Sequence, residues 1–309
     1  MPIQTLHQPT PLFYAHALSR RLQKNIYFKM DCHQPSGSFK IRGVGKRCQE
    51  AAAEGYRHFV IASGGNAGLA VAYAGWKMKI KTTVVVPRST ALFMQQKIKD
   101  LEAQVVVHGS IWNESNDYAQ QLTKAADCIY IPPFDHPTIW EGHATVIDEC
   151  AQEIAAPDAL IVAVGGGGYF CGVAQGIERN KWSKTSIITA ETHGTASMHK
   201  AIKAQKLISL DKIDSIATSL AAKKVAAKAL DYALKHQVSS YTVSDRQSLM
   251  ACRSFLDDTG ILVEPACGAA LASVYNNMEI LNAHQTILVM VCGGSSLSIE
   301  AFNQYMRQE

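Results

Sequence analysis

The chain carries at residues 34–43 the stretch Gln34-Pro35-Ser36-Gly37-Ser38-Phe39-Lys40-Ile41-Arg42-Gly43. Small, flexible residues and one aromatic residue precede Lys40, and a helical pattern of apolar residues begins directly after it. This order places the Lys40 amine at a loop-to-helix junction, beside helix amides that can hold an anion. A desolvated lysine at such a junction can form a Schiff base with an aldehyde. Taken alone, Lys40 is better explained as one of 30 basic residues, on a solvated helix face, because buried lysines are rare.

Composition indicates an ordinary globular protein of one large or two modest domains. The chain has 309 residues, of which 47% are hydrophobic and 18% charged. A net charge of +4 without a basic cluster argues against binding to nucleic acid or an anionic membrane. No apolar run reaches the length of a membrane span, and the start Met1-Pro2-Ile3-Gln4 lacks the layout of a signal peptide. We therefore expect a cytoplasmic protein.

The eight cysteines are scattered, without a C-x-x-C pair or a zinc-binding spacing. We expect most of them to be small buried residues of a protein in a reducing compartment. The sequence contains no H-x-x-x-H pair, no G-x-S-x-G elbow and no G-x-x-x-x-G-K-[ST] loop. These absences argue against zincin-type, common hydrolase and NTPase chemistry.

Short β-rich runs alternate with helical patterns along most of the chain. We predict nine strands, at 26–29, 58–62, 82–86, 105–107, 129–131, 160–164, 186–190, 241–243 and 287–291, and one of the intervening helices is predicted at 114–126. Continuously apolar runs such as Val84-Val85-Val86 are typical of parallel strands buried on both faces, so we predict an α/β protein with parallel sheets. A strand before residue 34 and a proline-rich break before residue 137 indicate a small inserted α/β domain at 34–136. Residues 1–33 and 137–309 would form the large domain. A ligand would bind in the cleft between the domains, at the carboxyl ends of strands.

A first glycine turn lies between a predicted strand and a predicted helix, at Ser63-Gly64-Gly65-Asn66. Ser63 and Asn66 are residue types that cap helices, and the two glycines leave backbone amides free to face a ligand. A carboxylate held here would meet a helix N-terminus. A plain capped helix after a turn explains the same residues equally well.

The second turn is a run of four glycines between a buried strand and a helix: Gly165, Gly166, Gly167 and Gly168. Such a run costs backbone entropy, and a phosphate cradle of bare amides is the natural reason for it. A dinucleotide-binding fingerprint competes, because Glu191 ends the next strand, where a ribose-binding acid would lie. The spacing disagrees, since Gly172 comes one residue too late for G-x-G-x-x-G. The pattern therefore favours phosphate over NAD.

A third strand, glycine turn and helix follow at Val291-Cys292-Gly293-Gly294-Ser295-Ser296-Leu297-Ser298. Cys292 or the nearby serines would touch the edge of a ligand. A buried structural cysteine explains Cys292 without any ligand.

Together these stretches resemble the fold-type II enzymes that depend on pyridoxal 5′-phosphate (PLP), and most closely the L-serine dehydratase/L-threonine deaminase family with its serine dehydratase-like members. The resemblance runs from Thr10-Pro11-Leu12 to Cys292-Gly293-Gly294-Ser295. It includes Ile131-Pro132-Pro133-Phe134-Asp135, Ile139-Trp140-Glu141-Gly142-His143 and Val263-Glu264-Pro265-Ala266-Cys267-Gly268. It implies a tryptophan synthase β-like fold with two parallel-sheet domains and the cofactor between them.

The resemblance also implies roles for the residues of these turns. Lys40 would form the Schiff base with PLP, and Phe39 would lie against the pyridine ring. Asn66 would bond the ring 3-oxygen, and the substrate carboxylate would be held by Ser63, Gly64, Gly65 and Asn66. The phosphate would be held by Gly165, Gly166, Gly167 and Gly168, and Cys292 would face the pyridine nitrogen. A monovalent cation, K⁺ or another, would be bound by Glu191, Thr195, Ser197, Leu220 and Ala222.

The implied activity is β-elimination of L-serine to pyruvate and ammonia, and of L-threonine to 2-oxobutanoate and ammonia, by a homodimer. Many relatives have Ser-Ser or Ser-Ala where this chain has Ser63-Gly64. Racemases of this fold have a serine base at the position of Gly64, so racemisation is disfavoured. The alternatives are another fold-type II reaction, such as threonine synthesis or cysteine-sulfur chemistry, and a PLP-binding pseudoenzyme of low activity.

Overall fold

A computed structural model describes residues 5–124 and 127–308 of the chain. The residues divide into two compact units. Unit 1 contains Gln34–His143 and the described part of Met1–Gln8, and unit 2 contains Pro9–His33 and the described part of Ala144–Glu309. The signal-peptide argument at Met1-Pro2-Ile3-Gln4 lies outside the described residues.

The described residues form strands and helices from residue 12 to residue 308, and the two alternate as far as the strand at Ser186–Thr192. The strands are β1 (Leu12–Tyr14), β2 (Asn25–Lys29), β3 (His58–Ala62), β4 (Lys81–Val86), β5 (Gln104–Val107), β6 (Cys128–Tyr130), β7 (Ala159–Ala163), β8 (Ser186–Thr192), β9 (Val238–Val243) and β10 (Thr286–Met290). The helices are α1 (His16–Leu22), α2 (Lys40–Ala53), α3 (Asn66–Met78), α4 (Leu92–Lys99), α5 (Trp112–Leu122), α6 (Pro137–Glu153), α7 (Gly168–Arg179), α8 (Ser197–Ala204), α9 (Ala227–Lys235), α10 (Asp245–Thr259), α11 (Pro265–Tyr275) and α12 (Ile299–Gln308).

Unit 1 is built on a four-stranded parallel sheet in the order β5-β4-β3-β6. The central strands are rich in β-branched residues, and Val60, Ile61 and Val84 are fully buried. Burial on both faces is what parallel strands covered by helices require. Helices α2 and α3 pack against each other within this unit, and their first residues are Lys40 and Asn66.

Unit 2 is built on a six-stranded sheet in the order β1-β2-β10-β7-β8-β9. All neighbouring pairs are parallel except β1 and β2, which pair in antiparallel register with Phe13 opposite Phe28. The middle strand β10 is fully buried from Ile287 to Met290. Because β10, β7 and β8 are adjacent and parallel, the turns that follow them lie along one edge of the sheet.

The predicted α/β architecture with parallel sheets is confirmed, and nine predicted strands agree with observed ones to within about three residues at each end. The helix predicted at 114–126 begins earlier, at Trp112, and its predicted end at 125–126 lies outside the described residues. The contact units differ from the predicted division at 34–136. Residues 137–143 belong to unit 1, where Ile139 is part of the hydrophobic core that also contains Ile41.

No helix in the described ranges is long and apolar enough to cross a membrane.

Candidate active site

Lys40 is the first residue of α2, and its amine points back toward the turn that follows β6. Its Nζ atom donates a hydrogen bond to the carbonyl oxygen of Pro133 at 2.8 Å, and the side chain is half-buried. The amine also lies 5.1 Å from the centre of the Phe39 ring. Pro133 follows β6 at the carboxyl edge of the sheet, so this bond holds the amine at the edge where α/β proteins bind ligands.

The residues around Lys40 make a partly buried polar corner in unit 1. The ring of Phe39 lies 5.0 Å from the ring of His143, which is fully buried. Burial, followed by the nearby charges of Lys40 and Arg42, lowers the pKa of His143 well below its ordinary value, so the imidazole is neutral. The hydroxyl of Ser38 is also fully buried and has no hydrogen-bond partner among the described residues. A buried hydroxyl in this state is an available ligand-binding group.

The turn Ser63-Gly64-Gly65 connects β3 to α3 at the same carboxyl edge. The Ser63 hydroxyl accepts a hydrogen bond from the Gly65 amide at 3.4 Å. Gly65 has open space on the side where a Cβ would lie, whereas a Cβ on Gly64 would collide with the side chain of Thr90. The first amides of α3 have no acceptor within the helix. The turn therefore brings backbone amides to the carboxyl edge of the sheet, with Asn66 buried at the helix start.

The glycine turn of unit 2 connects β7 to α7. Gly167 has φ +91° and is the N-cap of α7, so its backbone conformation favours glycine. A Cβ on Gly167 would lie 2.6 Å from Cβ of Ala229, and the Gly166 carbonyl accepts a hydrogen bond from the amide of Ala226 at 2.9 Å. The amides at the start of α7, Gly168 among them, have no acceptor in the helix. The turn has the geometry of a helix N-terminus that can hold an anion.

Cys292 lies directly beyond β10, two residues after its last residue, and is 5% exposed. A hydrogen bond with Cys267, and then burial, raise the pKa of the Cys292 thiol well above its ordinary value. The thiol is therefore neutral. Strand β10 is adjacent to β7, so Cys292 and the turn of Gly165, Gly166, Gly167 and Gly168 lie at the carboxyl edge of neighbouring strands.

Glu191 lies near the end of β8, the next strand along the same sheet. Its carboxylate accepts hydrogen bonds from the amides of Met198 at 2.8 Å and His199 at 2.6 Å. Burial raises the pKa of Glu191 to about 8 despite these bonds. Of the other residues predicted to bind a cation, Ser197 starts α8 and Thr195 ends the short 3-10 turn before it.

Leu220 and Ala222 belong to the segment that packs on the glycine turn. A Cβ on Gly165 would lie 3.1 Å from Cα of Leu220, and the amide of Ala222 donates to the Leu220 carbonyl at 2.7 Å. Within the described residues, no group of three or more His, Cys, Asp or Glu side chains is arranged to hold a metal ion. A cation here would therefore depend on carbonyl and hydroxyl oxygens together with the single carboxylate of Glu191.

Each unit thus carries a set of predicted site residues at the carboxyl edge of its own sheet. Ser38 and Thr90 are the two polar side chains that the sequence did not single out. Ser38 lies inside the stretch around Lys40, and because it is small, the sequence analysis interpreted it as a flexible turn residue. Thr90 follows β4, and only the sheet order, in which β4 neighbours β3, brings it to Gly64.

The sheets, the lysine at a loop-to-helix junction and the glycine cradle at a helix N-terminus define an α/β protein of the fold-type II class. The sequence matches the family "Pyridoxal-phosphate dependent enzyme" over residues 3–293. The chain belongs to this family.

Three relatives illustrate the similarity. Human "L-serine dehydratase/L-threonine deaminase" is 42% identical over 306 residues, which cover 96% of this chain and 93% of the relative. Human "Serine dehydratase-like" is 43% identical over 304 residues, which cover 96% of this chain and 92% of the relative. The crystal structure of a fungal L-serine ammonia-lyase from Rhizomucor miehei superposes with a TM-score of 0.94 at 35% identity, covering 99% of each chain.

The residues present fit PLP. The cofactor needs an amine for its aldehyde and a bare-amide cradle for its phosphate. The chain supplies Lys40 at the edge of one sheet and the turn containing Gly167 at the edge of the other. The buried hydroxyl of Ser38, without a partner among the described residues, is a further polar atom available to a ligand beside Lys40.

Proposed function

We propose that the chain is a PLP-dependent ammonia-lyase that converts L-serine to pyruvate and ammonia, and L-threonine to 2-oxobutanoate and ammonia. The observation that carries the proposal is the Lys40 amine held at 2.8 Å by the Pro133 carbonyl, in a chain of the PLP family whose similar relatives are named for this chemistry. When bound, PLP supplies an electron sink that stabilises negative charge at the substrate α-carbon.

The residues of unit 1 would bind the cofactor and substrate and move the proton. The Lys40 amine would hold the cofactor at its aldehyde, and as a free base it would accept the α-proton of the substrate. The backbone amides of Ser63, Gly64 and Gly65 would hold the substrate carboxylate at the N-terminus of α3. Asn66 would hold the cofactor at its 3-oxygen, and Phe39 would pack against the cofactor ring.

The residues of unit 2 would anchor the phosphate and set the charge at the pyridine nitrogen. The amides of the turn from Gly165 to Gly168 would hold the phosphate. The neutral Cys292 thiol, whose pKa is raised by Cys267 and by burial, does not force a proton onto the nitrogen as a carboxylate would. This arrangement favours loss of the β-hydroxyl over transamination.

The decisive experiment measures cofactor absorbance and keto-acid production with the same protein. We expect an absorbance band at about 410–420 nm from the cofactor bound at Lys40, with keto acid formed from L-serine and L-threonine. Lys40→Ala should lose both. Lys46→Ala, which changes an amine in the same helix α2, serves as the matched control and should keep both.

Other outcomes separate the alternatives. The absorbance band without keto acid would indicate a PLP-binding pseudoenzyme or another fold-type II reaction, which a panel of substrates including D-serine would identify. Absence of the band after PLP is added would refute the assignment of Lys40.

We further propose that Glu191, Thr195, Ser197, Leu220 and Ala222 bind a monovalent cation such as K⁺. The buried carboxylate of Glu191, with a pKa raised to about 8, would be stabilised in its charged form by a cation. Keto-acid production should therefore fall when K⁺ is replaced by a large organic cation. Equal rates with both cations would contradict the proposal.

We also propose that the protein is a cytoplasmic homodimer. The support is the assembly common to this family and the free thiols of all eight cysteines, which suit a reducing compartment. Light scattering of the purified protein tests the assembly, because a mass near 67 kDa is expected if two chains of 33.7 kDa associate. A mass of one chain would refute the dimer, and imaging of a tagged chain tests the compartment.

A further inference from the structure

Thr90 lies in the loop between β4 and α4. Hydrogen bonds fix its backbone, whereas its side chain makes none with the described residues. Its amide donates to the Pro87 carbonyl at 3.0 Å, and its carbonyl accepts from Nε2 of Gln95 at 2.9 Å. Gln95 is itself buried. The Thr90 hydroxyl makes no hydrogen bond with any residue that the structure describes, and the side chain is half-buried. A positioned hydroxyl without an internal partner is suited to a ligand.

The side chain of Thr90 lies directly over Gly64. A Cβ on Gly64 would lie 2.5 Å from Cγ2 of Thr90 and 3.0 Å from its Cβ, and closer still to Oγ1. Thr90 therefore supplies the wall that a side chain at position 64 would otherwise form. This contact exists because β4 and β3 are neighbouring parallel strands, so the loops after them meet at the same edge.

The hydroxyl of Thr90 faces a turn that attracts anions. The first amides of α3 lack acceptors in the helix and carry the positive end of its dipole. On the next residue, Gly65, the direction of a Cβ is open. A carboxylate bound to the amides of this turn would therefore lie close enough to accept a hydrogen bond from the Thr90 hydroxyl, which lies beside Gly64.

We propose that Thr90 is a substrate-binding residue that donates a hydrogen bond to the α-carboxylate of the amino-acid substrate. The inference rests on the proposed function, in which the turn from Ser63 to Asn66 holds that carboxylate. Serine and threonine share the carboxylate, so Thr90 acts on the binding of both and does not choose between them. The alternative is that Thr90 only packs against Gly64.

Substitutions that separate the hydroxyl from the shape of the side chain test the proposal. Thr90→Val keeps the shape and removes the hydroxyl. We expect KM for L-serine and L-threonine to rise by the same factor, about ten-fold or more, as is typical for loss of a hydrogen bond to a charged group. Thr90→Ser restores the hydroxyl and should recover most of the affinity. Ser89→Ala removes an exposed hydroxyl of the same loop and should leave KM unchanged.

A binding measurement that needs no elimination separates this inference from the proposed function. L-Alanine has the α-carboxylate without a leaving group, and ethylamine has neither. In spectral titrations of the PLP-loaded protein, Thr90→Val should weaken L-alanine binding about ten-fold and leave ethylamine binding unchanged. The melting temperature of each variant, with and without L-alanine, gives a second readout.

Two results would overturn the role of Thr90. One is an unchanged KM and unchanged L-alanine affinity in Thr90→Val, and the other is an equal loss of affinity for L-alanine and ethylamine. Either result would leave Thr90 as a packing residue. If the wild-type protein binds PLP but forms no keto acid, the lyase proposal fails, and the comparison of the two amines still decides the role of Thr90.

Discussion

Replacement of Gly167 by alanine should destabilise the protein and weaken cofactor binding at once. Its φ of +91° costs an L-residue about 1–2 kcal/mol. The added Cβ would also lie 2.6 Å from Cβ of Ala229, and overpacking of this kind costs about 1–3 kcal/mol. We therefore expect Gly167→Ala to lower the free energy of unfolding by about 2–5 kcal/mol, measured by urea denaturation of the cofactor-free protein with circular dichroism.

A substitution at Gly260 serves as a control that separates the cost of the steric collision from the cost of the positive φ. Gly260 also has a positive φ, +72°, but a Cβ there would have nothing within 4 Å. Gly260→Ala should therefore show only the backbone cost, and its affinity for PLP should not change. Gly167→Ala should bind PLP more weakly, because the collision displaces the amides that would hold the phosphate.

A double-mutant cycle then measures the collision itself. Ala229→Gly removes the methyl group that the new Cβ of Gly167→Ala would meet. The coupling free energy between the two substitutions should be about 1–3 kcal/mol in the relieving direction. Equal destabilisation by Gly167→Ala and Gly260→Ala, with a coupling near zero, would refute the reasoning.

Two further predictions concern buried charges. Because the pKa of Glu191 is raised to about 8 in the folded protein, that state keeps a proton which the unfolded chain releases near pH 4.5. The free energy of unfolding, measured without a monovalent cation, should therefore fall as the pH rises from about 4.5 to about 8. Glu191→Gln should remove this pH dependence. The same pH dependence in Glu191→Gln and in the wild-type protein would contradict the prediction. Lys29 is fully buried and contacts Glu149 at 2.7 Å, so Lys29→Met should cost about 3–5 kcal/mol in urea denaturation, because it removes the buried cation that balances the charge of that carboxylate. The matched Arg253→Met, which removes an exposed ion pair, should change stability little, and equal effects would refute the argument.

The sequence predicted the fold well where patterns are local. Continuous apolar runs identified strands such as β3, β4 and β10, because a strand buried on both faces has no polar alternation. It did not predict β1, whose three residues pair only with β2 at the sheet edge. It also did not predict α1, a helix of seven residues whose short periodicity is weak. The helix placed after Cys292 begins later, at Ile299, because an isolated β-bridge and a turn occupy part of the intervening segment.

The sequence predicted those site residues that lie in a short stretch with an unusual composition, such as a run of glycines or a lysine at the start of a helix. Lys40 and Gly167 were found because a lysine at a helix start and a glycine run each need a physical reason. Thr90 was not found, because its approach to Gly64 depends on the order of strands in the sheet. The raised pKa of Glu191 likewise depends on tertiary burial, which spacing along the chain does not reveal.

The pairing of β2 with β10 has a consequence for how the chain is made. Ile26 is opposite Ile287, so the central sheet of unit 2 joins residues from the two ends of the described chain. The sheet of unit 1 needs nothing beyond Tyr130. During synthesis on the ribosome, the inserted unit can therefore complete its sheet first. The edge of β2 that pairs with β10 stays unpaired until β10 has left the exit tunnel. Completion of the sheet of unit 2 is therefore the late and slow step of folding.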